Sequence, residues 1–261
     1  MANELVLVVG ASGKMGVSAI IGALKTGRKV LAVVRSEAAK ERTLQQVGTS
    51  EGIVFTYADP TRENDLLDIV AKVKRGELPS FQHVFTSVGK VELHSPIYTV
   101  STEEFDNIFT VDFKADFFAY RATMPYLIEH GGPGASFTLL TGGLADLGIG
   151  GINSITAGAR ASLAAVATFE NLKTNVRFNE IHLNYTIEHE STIQEKGLLH
   201  ASKTSDFAQV YREVLARPAI RGCRISVHGP EDIDVLKIEN KLSTSDFIQV
   251  ANGEEDVSGK G

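Results

Sequence analysis

Short apolar runs rich in β-branched residues alternate along this chain with segments of helical periodicity. The runs typical of strands are LVLVVG, KVLAVV, IVFTYA, HVFTSV, SFTLLT, VRFNEIHL and CRISVH, which start at positions 5, 29, 53, 83, 136, 176 and 223. Several are apolar nearly throughout, as expected of strands that helices cover on both faces. The alternation predicts βαβ units around a parallel sheet.

Helical periodicity fills the intervals between these strands. One segment covers about 15–26 and stops at Gly27, a suitable residue for a left-handed C-cap. Another begins near position 61, and a long one begins at Ser101, which pairs with Glu104 as a capping box. Two more cover about 155–172 and 205–216. The pattern predicts one α/β domain over residues 1–240, followed by a polar, mobile tail at 241–261.

Composition narrows the function classes. The 261 residues carry a formal net charge of −6, so no sequence-independent attraction to nucleic acid or to acidic membranes is expected. No apolar run approaches the roughly 18 residues that a membrane span needs. The one cysteine, Cys223, excludes an internal disulfide and a cysteine-built metal site, and it is expected to be buried. We expect a cytoplasmic protein without a bound metal.

A glycine-rich turn links the first strand to the first helix. In GASGKMG, Gly10 allows the sharp turn, Gly13 lets the backbone approach a pyrophosphate, and Gly16 lets the helix lie close to the sheet. The phosphates would meet the free N–H groups at the start of the helix. This context predicts a dinucleotide site. The cofactor-binding residues predicted in the turn are Gly10, Ser12, Gly13, Lys14, Met15 and Gly16.

The second strand ends in VVRSE, where enzymes that use NAD usually place an acidic residue. Here Arg35 and Ser36 stand at that point, which suits the 2′-phosphate of NADP(H). Lys14 would add a second positive charge. The alternative is that Arg35 is an ordinary solvated side chain.

Further cofactor contacts are expected where the third and fourth strands end, since ligands lie beyond the carboxyl ends of parallel strands. Asp59 would accept a hydrogen bond from an adenine amino group, or it would only cap the helix that follows. Gly89 would let the backbone run past the ribose. The residues predicted to bind the cofactor here are Asp59, Pro60, Ser87, Val88 and Gly89.

Together these features resemble the short-chain dehydrogenase/reductase superfamily over about residues 4–230. The stretch STEEFDNIFTVDFKADFFAYRATMPYLI is similar to a characteristic helix of that family, and RGCRISVHG is similar to its last strand. The resemblance implies a single doubly wound Rossmann-like domain with a seven-stranded parallel sheet. It also implies a small-molecule substrate and a homodimer or homotetramer formed through the two long central helices.

The catalytic positions depart from the family pattern. Active members use Asn, Ser, Tyr and Lys, in which the Tyr exchanges the proton and the Lys binds ribose and lowers the Tyr pKa. Here the Asn falls on Asp112, the Ser on Gly142 beside Thr141, and the Tyr and Lys on Thr156 and Arg160. A threonine hydroxyl is a far weaker acid than a phenol. Arg160 can hold a ribose hydroxyl but never deprotonates.

Reduction of a carbonyl by the family mechanism is therefore not expected, since a positioned general acid contributes about 10²–10⁴ in rate. A cationic acceptor such as an iminium needs hydride but no proton, and nearby carboxylates would stabilise it. Asp112 and Asp146 lie near the expected site, and Arg121 would pair with one of them. The alternatives are a backbone-bonded Asp112, a solvated Asp146 and an outer-face Arg121.

Two other side chains near the site have alternative interpretations. Tyr185 is a candidate general acid, or it only lines the pocket. His182 lies within the sixth strand and is expected in the core. The segment from 186 to 205 has the size of a substrate lid.

Three functions remain open. The first is an NADPH-dependent reductase of an iminium or imine in specialised metabolism. It is similar to divergent fungal family members that reduce a cationic indole-alkaloid intermediate and then shape a cycloaddition. The second is a redox-silent cyclase or isomerase, and the third a non-catalytic NADP-binding sensor. The lid-sized segment favours an enzyme, because a sensor has little use for it.

Overall fold

A computed structural model describes residues 4–91 and 96–242. Its central sheet has eight strands in the order β10-β9-β6-β5-β4-β1-β2-β3. A separate two-stranded sheet pairs β7 with β8. The strands are β1 Leu5–Val9, β2 Lys29–Val34, β3 Ile53–Tyr57, β4 His83–Thr86, β5 Ser136–Gly142, β6 Arg177–Leu183, β7 Ile187–Glu188, β8 Ser202–Lys203, β9 Cys223–Val227 and β10 Lys237–Asn240.

Helices cover both faces of this sheet. They are α1 Lys14–Lys25, α2 Glu37–Val47, α3 Glu63–Lys74, α4 Thr102–Phe109, α5 Ala115–His130, α6 Leu144–Leu147, α7 Ile152–Glu170, α8 Glu190–Lys196, α9 Thr204–Ala216 and α10 Glu231–Asp234. A short 3₁₀ turn covers Ile97–Thr99, and a π-helical turn covers Thr110–Lys114. None of the helices in the described ranges is long and apolar enough to cross a membrane.

The predicted doubly wound α/β fold is confirmed. Seven strands from β9 to β3 run parallel, and each predicted strand is present. An eighth strand, β10, adds an antiparallel edge beside β9, which the polar segment 237–240 did not suggest. The packed chain continues to Lys241, whose Nζ donates to the Ala161 carbonyl at 3.2 Å. Residues 243–261 of the predicted tail lie outside the described residues.

Two hydrophobic layers hold the sheet between its helices. One layer packs α3, α5 and α7 against the strands and contains Phe81, Phe137 and Phe178. The other packs α1 and α9 against the opposite face and contains Phe207 and Tyr211. These layers bury the strands on both sides, which explains their continuous apolar runs. Cys223 is buried as expected.

The long helix predicted from Ser101 to residue 130 is interrupted. Ser101 caps α4 through the predicted capping box with Glu104. The π-helical turn Thr110–Lys114 then separates α4 from α5 and contains the buried Asp112. Single π-helical turns inside α-helices are frequent at functional sites. The interruption therefore places Asp112 at the site rather than in a continuous helix.

A buried histidine lies at the opposite end of the sheet, at the start of β4. His83 is 1% exposed, with Nδ1 2.8 Å from Ser136 Oγ and Nε2 3.4 Å from Glu4 Oε2. Glu4 in turn pairs with Arg28 at 2.6 Å. Burial and the charge of Arg28 lower the pKa of His83 from 6.5 to about 4, although Glu4 opposes them. The imidazole is therefore neutral in the folded protein at neutral pH.

This histidine predicts a loss of stability in acid. The folded pKa lies below the unfolded one, so the unfolded chain binds more protons between the two values, and stability falls as pH drops from about 6.5 to about 4. We expect a loss of roughly 1–3 kcal/mol across this window. Urea unfolding at several pH values measures it. His83→Gln should flatten the slope, and an unchanged slope would assign acid sensitivity to other groups.

Candidate active site

A cavity of about 780 Å³ opens at the carboxyl ends of the parallel strands. The glycine turn, the ends of β4, β5 and β6, and the first turns of α7 form its walls. Of the residues predicted to bind a cofactor or act in catalysis, many line this cavity. They are Gly13, Lys14, Met15, Ser87, Val88, Gly89, Asp112, Thr141, Thr156, Arg160 and Tyr185.

The glycine turn has the geometry that its sequence predicts. Gly10 has φ +84°, and a Cβ there would lie 2.5 Å from the Ser87 carbonyl oxygen. A Cβ on Gly16 would lie 2.2 Å from the Gly10 carbonyl oxygen. Gly13 is exposed and precedes α1, and no side chain caps that helix. The first N–H groups of α1 therefore have no side-chain acceptor, as a phosphate site requires.

The end of β2 carries Arg35 and Ser36 outside the cavity. Arg35 is exposed, while the Ser36 hydroxyl accepts a hydrogen bond from the Ala39 amide at 3.2 Å and so caps α2. Both residues stay available at the rim that would receive an adenosine group. The cap gives Ser36 a structural role besides any ligand contact.

Asp59 at the end of β3 forms a local turn. Its Oδ1 accepts hydrogen bonds from the Thr61 amide at 3.0 Å and the Thr61 hydroxyl at 2.7 Å, and Pro60 between them is buried. Burial raises the pKa of Asp59, but Thr61 and the positive charges of Arg35 and Arg62 outweigh it and lower that pKa. Asp59 therefore closes the turn before α3 and does not cap that helix, which begins at Glu63 after the N-cap residue Arg62 and has no side-chain cap, so the capping alternative is wrong.

A buried ion pair lies beneath the end of β4. Arg160 Nε is 2.9 Å from Asp116 Oδ2, and a second guanidinium nitrogen donates to the Leu140 carbonyl. Asp116 is fully buried and accepts hydrogen bonds from the Thr86 hydroxyl and from the Val88 amide at 3.3 Å. Burial raises the pKa of Asp116, and Arg160 opposes that rise.

Arg160 was predicted to hold a ribose hydroxyl, yet the structure commits two of its nitrogens to protein partners. One η nitrogen remains near the cavity, since a Cβ on Gly89 would lie 3.5 Å from Nη1. A ribose contact therefore rests on this nitrogen alone.

Asp112 lies at the cavity wall in the π-helical turn. Its Oδ1 accepts from the Lys90 amide at 2.8 Å and its Oδ2 accepts from the Asn153 side chain, which also donates to the Lys90 carbonyl at 3.0 Å. Burial raises the pKa of Asp112, while Lys90, Arg160 and Asn153 oppose it. Because N–H groups donate to both oxygens, the arrangement suits the carboxylate form.

Thr156 occupies the position of the family tyrosine and has no acidic partner. Its side chain is 1% exposed, and its hydroxyl donates to the Asn153 carbonyl at 3.1 Å within α7. Hydrogen bonding within a helix satisfies a threonine hydroxyl without giving it acidity. Thr156 therefore shapes the cavity wall but cannot replace a phenol.

A polar network extends from Thr141 away from the cavity. Thr141 Oγ1 donates to Glu180 Oε1 at 2.6 Å and lies 3.1 Å from His182 Nδ1. The other ring nitrogen, Nε2, is 3.5 Å from Asp146 Oδ2. His182 is buried as predicted, but it contacts polar groups rather than the apolar core. Asp146 lies outside the cavity, and its side chain is 70% exposed.

The segment 186–205, predicted as a lid, contributes to one side of the cavity wall. Its Thr186 and Ile187 line the cavity, next to Tyr185. Glu188 of β7 forms an ion pair with Lys14 of the glycine turn at 3.2 Å. Beyond this point, α8 and β8 carry the chain to α9. The segment therefore bridges the nucleotide turn and the outer wall of the cavity.

The structure does not bring Arg121 to the site. It forms an ion pair with Glu63 of α3 and stacks over Phe117 at 5.4 Å, and its side chain is 48% exposed. The predicted pairing with Asp112 or Asp146 is thus wrong, because Asp112 and Arg121 lie on different sides of the helical segment.

Residues that sequence reasoning missed complete the site. Asn153 precedes Thr156 and Arg160 by three and seven positions, so helical spacing places all three on one side of α7. Asp116 follows Asp112 by four positions, and this spacing likewise indicates two neighbouring side chains on one side of a helix. No pattern in the nearby sequence indicated a role for Glu180, because only the pairing of β6 with β9 places it opposite Arg224.

Comparisons with known proteins show the family of this chain. Residues 4–188 match the family model described as short chain dehydrogenase. The chain belongs to the short-chain dehydrogenase/reductase family. The short-chain dehydrogenase/reductase iacG of Pestalotiopsis fici is 44% identical over 241 residues, which cover 92% of this chain and 97% of that protein.

Solved structures of low identity share the fold. ElxO, solved with NADP bound, superposes with a TM-score of 0.74 at 16% identity over 86% of this chain and 96% of its own. A glucose/ribitol dehydrogenase-type member from Brucella melitensis gives 0.70 at 20% identity, covering 87% of this chain and 96% of its own. Within the described part of the chain, no cluster of three His, Cys, Asp or Glu residues is placed to hold a metal ion.

Proposed function

We propose that this family member is an NADPH-dependent reductase of an activated C=N bond in a small specialised metabolite. One observation carries the proposal: the positions of the family tyrosine and lysine hold Thr156, hydrogen-bonded within its own helix, and Arg160, which forms an ion pair with Asp116. Neither side chain can give up a proton at neutral pH. An iminium accepts hydride without needing one.

The glycine turn and the rim of the sheet fit NADP(H). Gly13 and the uncapped start of α1 would meet the pyrophosphate, and Arg35 with Lys14 would meet the 2′-phosphate. Gly89 and Arg160 would border the ribose. When bound, the cofactor supplies hydride, and the protein's task is to position the substrate.

Negative charge near a cationic substrate supports the same proposal. Asp112 lines the cavity, and the buried Asp116 lies behind it. Arg160 neutralises Asp116, so Asp112 supplies the carboxylate nearest to the substrate space. Preorganised carboxylates stabilise a cation by the same logic that stabilises an oxyanion with donors.

The decisive test is oxidation of NADPH by the purified full chain in the presence of cyclic iminium salts, followed by absorbance and product mass. The proposal expects substrate-dependent oxidation and an amine product. Tight NADPH binding without oxidation by any iminium or imine would contradict it, and would favour the redox-silent cyclase or the sensor. Light scattering on the same preparation measures the oligomeric state.

Arg35 provides a test of cofactor choice. Arg35→Leu removes the charge expected to pair with the 2′-phosphate, so NADPH affinity should fall about tenfold or more while NADH affinity changes little. Fluorescence titration with both cofactors measures the ratio. Arg42→Leu, an exposed residue of α2, is the matched control. Equal effects on both cofactors would remove Arg35 from 2′-phosphate binding.

The proposed assembly is a homodimer or homotetramer through α5 and α7. Phe105, Phe109, Phe113 and Phe117 form a continuous ring ladder with centroids 4.4, 6.4 and 6.3 Å apart. On α7, Val166 is 54% exposed. Apolar side chains of this kind on adjacent helices are typical of an interface. A monomer in light scattering would contradict the assembly.

A further inference from the structure

A hydroxyl, an imidazole and a carboxylate form a continuous chain from the cavity to solvent. Thr141 lines the cavity, and its Oγ1 lies 3.1 Å from His182 Nδ1. His182 Nε2 lies 3.5 Å from an oxygen of Asp146, whose side chain is 70% exposed. The three come from the end of β5, the end of β6 and α6. Neighbouring members lie 3.1 and 3.5 Å apart, and the hydroxyl and the imidazole can each accept one proton and release another.

Charged groups around His182 determine its protonation. Glu180 faces it from β6 with its oxygens bonded to Arg224 and Lys241, Asp146 faces it from α6, and Arg224 and His228 lie on or after β9. Burial and Arg224 lower the pKa of His182, while Glu180 and Asp146 oppose them. The ring is therefore neutral at neutral pH, and a neutral imidazole both donates and accepts a proton.

The hydrogen bond to Glu180 sets the orientation of Thr141. Arg224 and Lys241 hold Glu180 as a carboxylate, and the pKa of Glu180 is lowered although burial opposes this. Since Thr141 donates to Glu180, its Oγ1 accepts from His182 Nδ1. The Nε2 atom is then the unprotonated nitrogen, and the Asp146 carboxylate 3.5 Å away would stabilise a proton that arrives there from solvent.

We propose that Thr141, His182 and Asp146 form a proton path that delivers a solvent proton to substrate in this cavity. The path takes the place of the missing tyrosine and lysine. It rests on the proposed function and extends the substrate class from preformed iminium ions to neutral imines, which need a proton as well as hydride.

The hydride and proton transfers balance in each turnover. Reduction of a neutral imine adds one hydride at carbon, which the cofactor of the proposed function supplies, and one proton at nitrogen. Thr141 turns its hydroxyl proton from Glu180 to the imine nitrogen, and its Oγ1 takes the Nδ1 proton of His182. The ring takes one proton at Nε2 from a solvent water molecule beside the exposed Asp146, and the hydroxide that remains leaves to bulk solvent. Exchange of the ring proton between its two nitrogens through water restores the starting state.

Two substrates separate this path from hydride transfer itself. A cyclic imine in alkaline buffer is neutral and needs a proton, whereas its N-methyl iminium needs none. His182→Gln should slow imine reduction by about 10²-fold or more and leave iminium reduction within a few-fold of wild type. Thr141→Val should also slow imine reduction, and Asp146→Asn should slow it less. His130→Gln, exposed on α5, is the control.

A pH titration of the cofactor-free protein by NMR tests the protonation of His182 independently of turnover. Nitrogen NMR of the ring of His182 should show the Nδ1–H form in wild type and a change in the ratio of Nδ1–H to Nε2–H in Thr141→Val. Asp146→Asn should lower the pKa of His182 further, because a neighbouring carboxylate favours the charged ring.

The outcomes distinguish the path from the proposed function. Wild-type protein that reduces neither substrate overturns the proposed function and the path with it. Protein that reduces the iminium but not the imine overturns the path alone. His182→Gln could instead slow the reduction of both substrates equally, while Thr141→Val leaves the tautomer ratio of His182 unchanged. That result would assign these residues a structural role and would also overturn the proton path.

Discussion

Replacing Arg160 by methionine is expected to lower the free energy of unfolding by about 3–5 kcal/mol, because it leaves Asp116 charged, buried and unpaired. Asp116 is fully buried and pairs with Arg160 at 2.9 Å. Urea unfolding at neutral pH measures the loss. Arg75→Met, which breaks an exposed pair with Glu77, is the matched control and should change stability little.

The pH dependence of that loss identifies its cause. Without Arg160, burial raises the folded pKa of Asp116 further above its unfolded value. The folded protein then binds more protons than the unfolded chain, so the deficit relative to wild type shrinks as pH falls. Adding Asp116→Asn to Arg160→Met should recover most of the stability. An Arg160→Met variant as stable as wild type, but with weaker NADPH binding, would instead support a purely ligand-binding arginine.

Replacing Gly16 by alanine is the second change with a large expected effect. The new Cβ would lie 2.2 Å from the Gly10 carbonyl oxygen and 2.7 Å from Ala11 Cα, so the backbone of the turn must move. Overpacking of this kind costs about 1–3 kcal/mol. The displaced turn should also weaken NADPH binding at least about tenfold, since the N–H groups of α1 no longer point to the phosphates. Thermal unfolding and fluorescence titration measure the two effects.

Gly158→Ala in α7 is the control for that substitution. A Cβ at Gly158 meets nothing within 4 Å, so alanine should be neutral or stabilise the helix by up to about 1 kcal/mol. NADPH binding should not change. If Gly16→Ala bound NADPH as tightly as wild type, the assigned role of the turn in phosphate binding would be wrong.

In this chain, the residues at the catalytic positions of the family form contacts that differ from the family pattern. Arg160 compensates a buried carboxylate, and Thr156 is bonded within its helix. In the proposed proton path, the proton-carrying groups lie instead on the neighbouring strands β5 and β6, at Thr141 and His182. A site rearranged in this way would act on C=N bonds, for which the phenol of the family is not required.

Much of the fold followed from local pattern. Apolar runs covered on both faces identified seven parallel strands, and the glycine-rich sequence after the first of them predicted the tight turn that the structure shows. The capping box at Ser101 was readable because both partners lie within one helical turn. Each of these signals depends on residues close together in sequence, where steric and hydrogen-bonding rules act directly.

Only the tertiary structure decided the partners of the charged residues. Arg121 pairs with Glu63 on the outer surface, and Arg160 pairs with Asp116 under the end of the sheet, and both partners lie more than forty positions away in sequence. The π-helical turn at Asp112 and the pairing of Glu180 with Arg224 likewise depend on packing between distant segments. The sequence by itself predicted the place of the proposed dinucleotide site, because that prediction requires only a strand, a turn and a helix in succession. Which groups carry charge and protons in the cavity depends on strand order and helix packing, which bring together residues as far apart as Glu180 and Lys241.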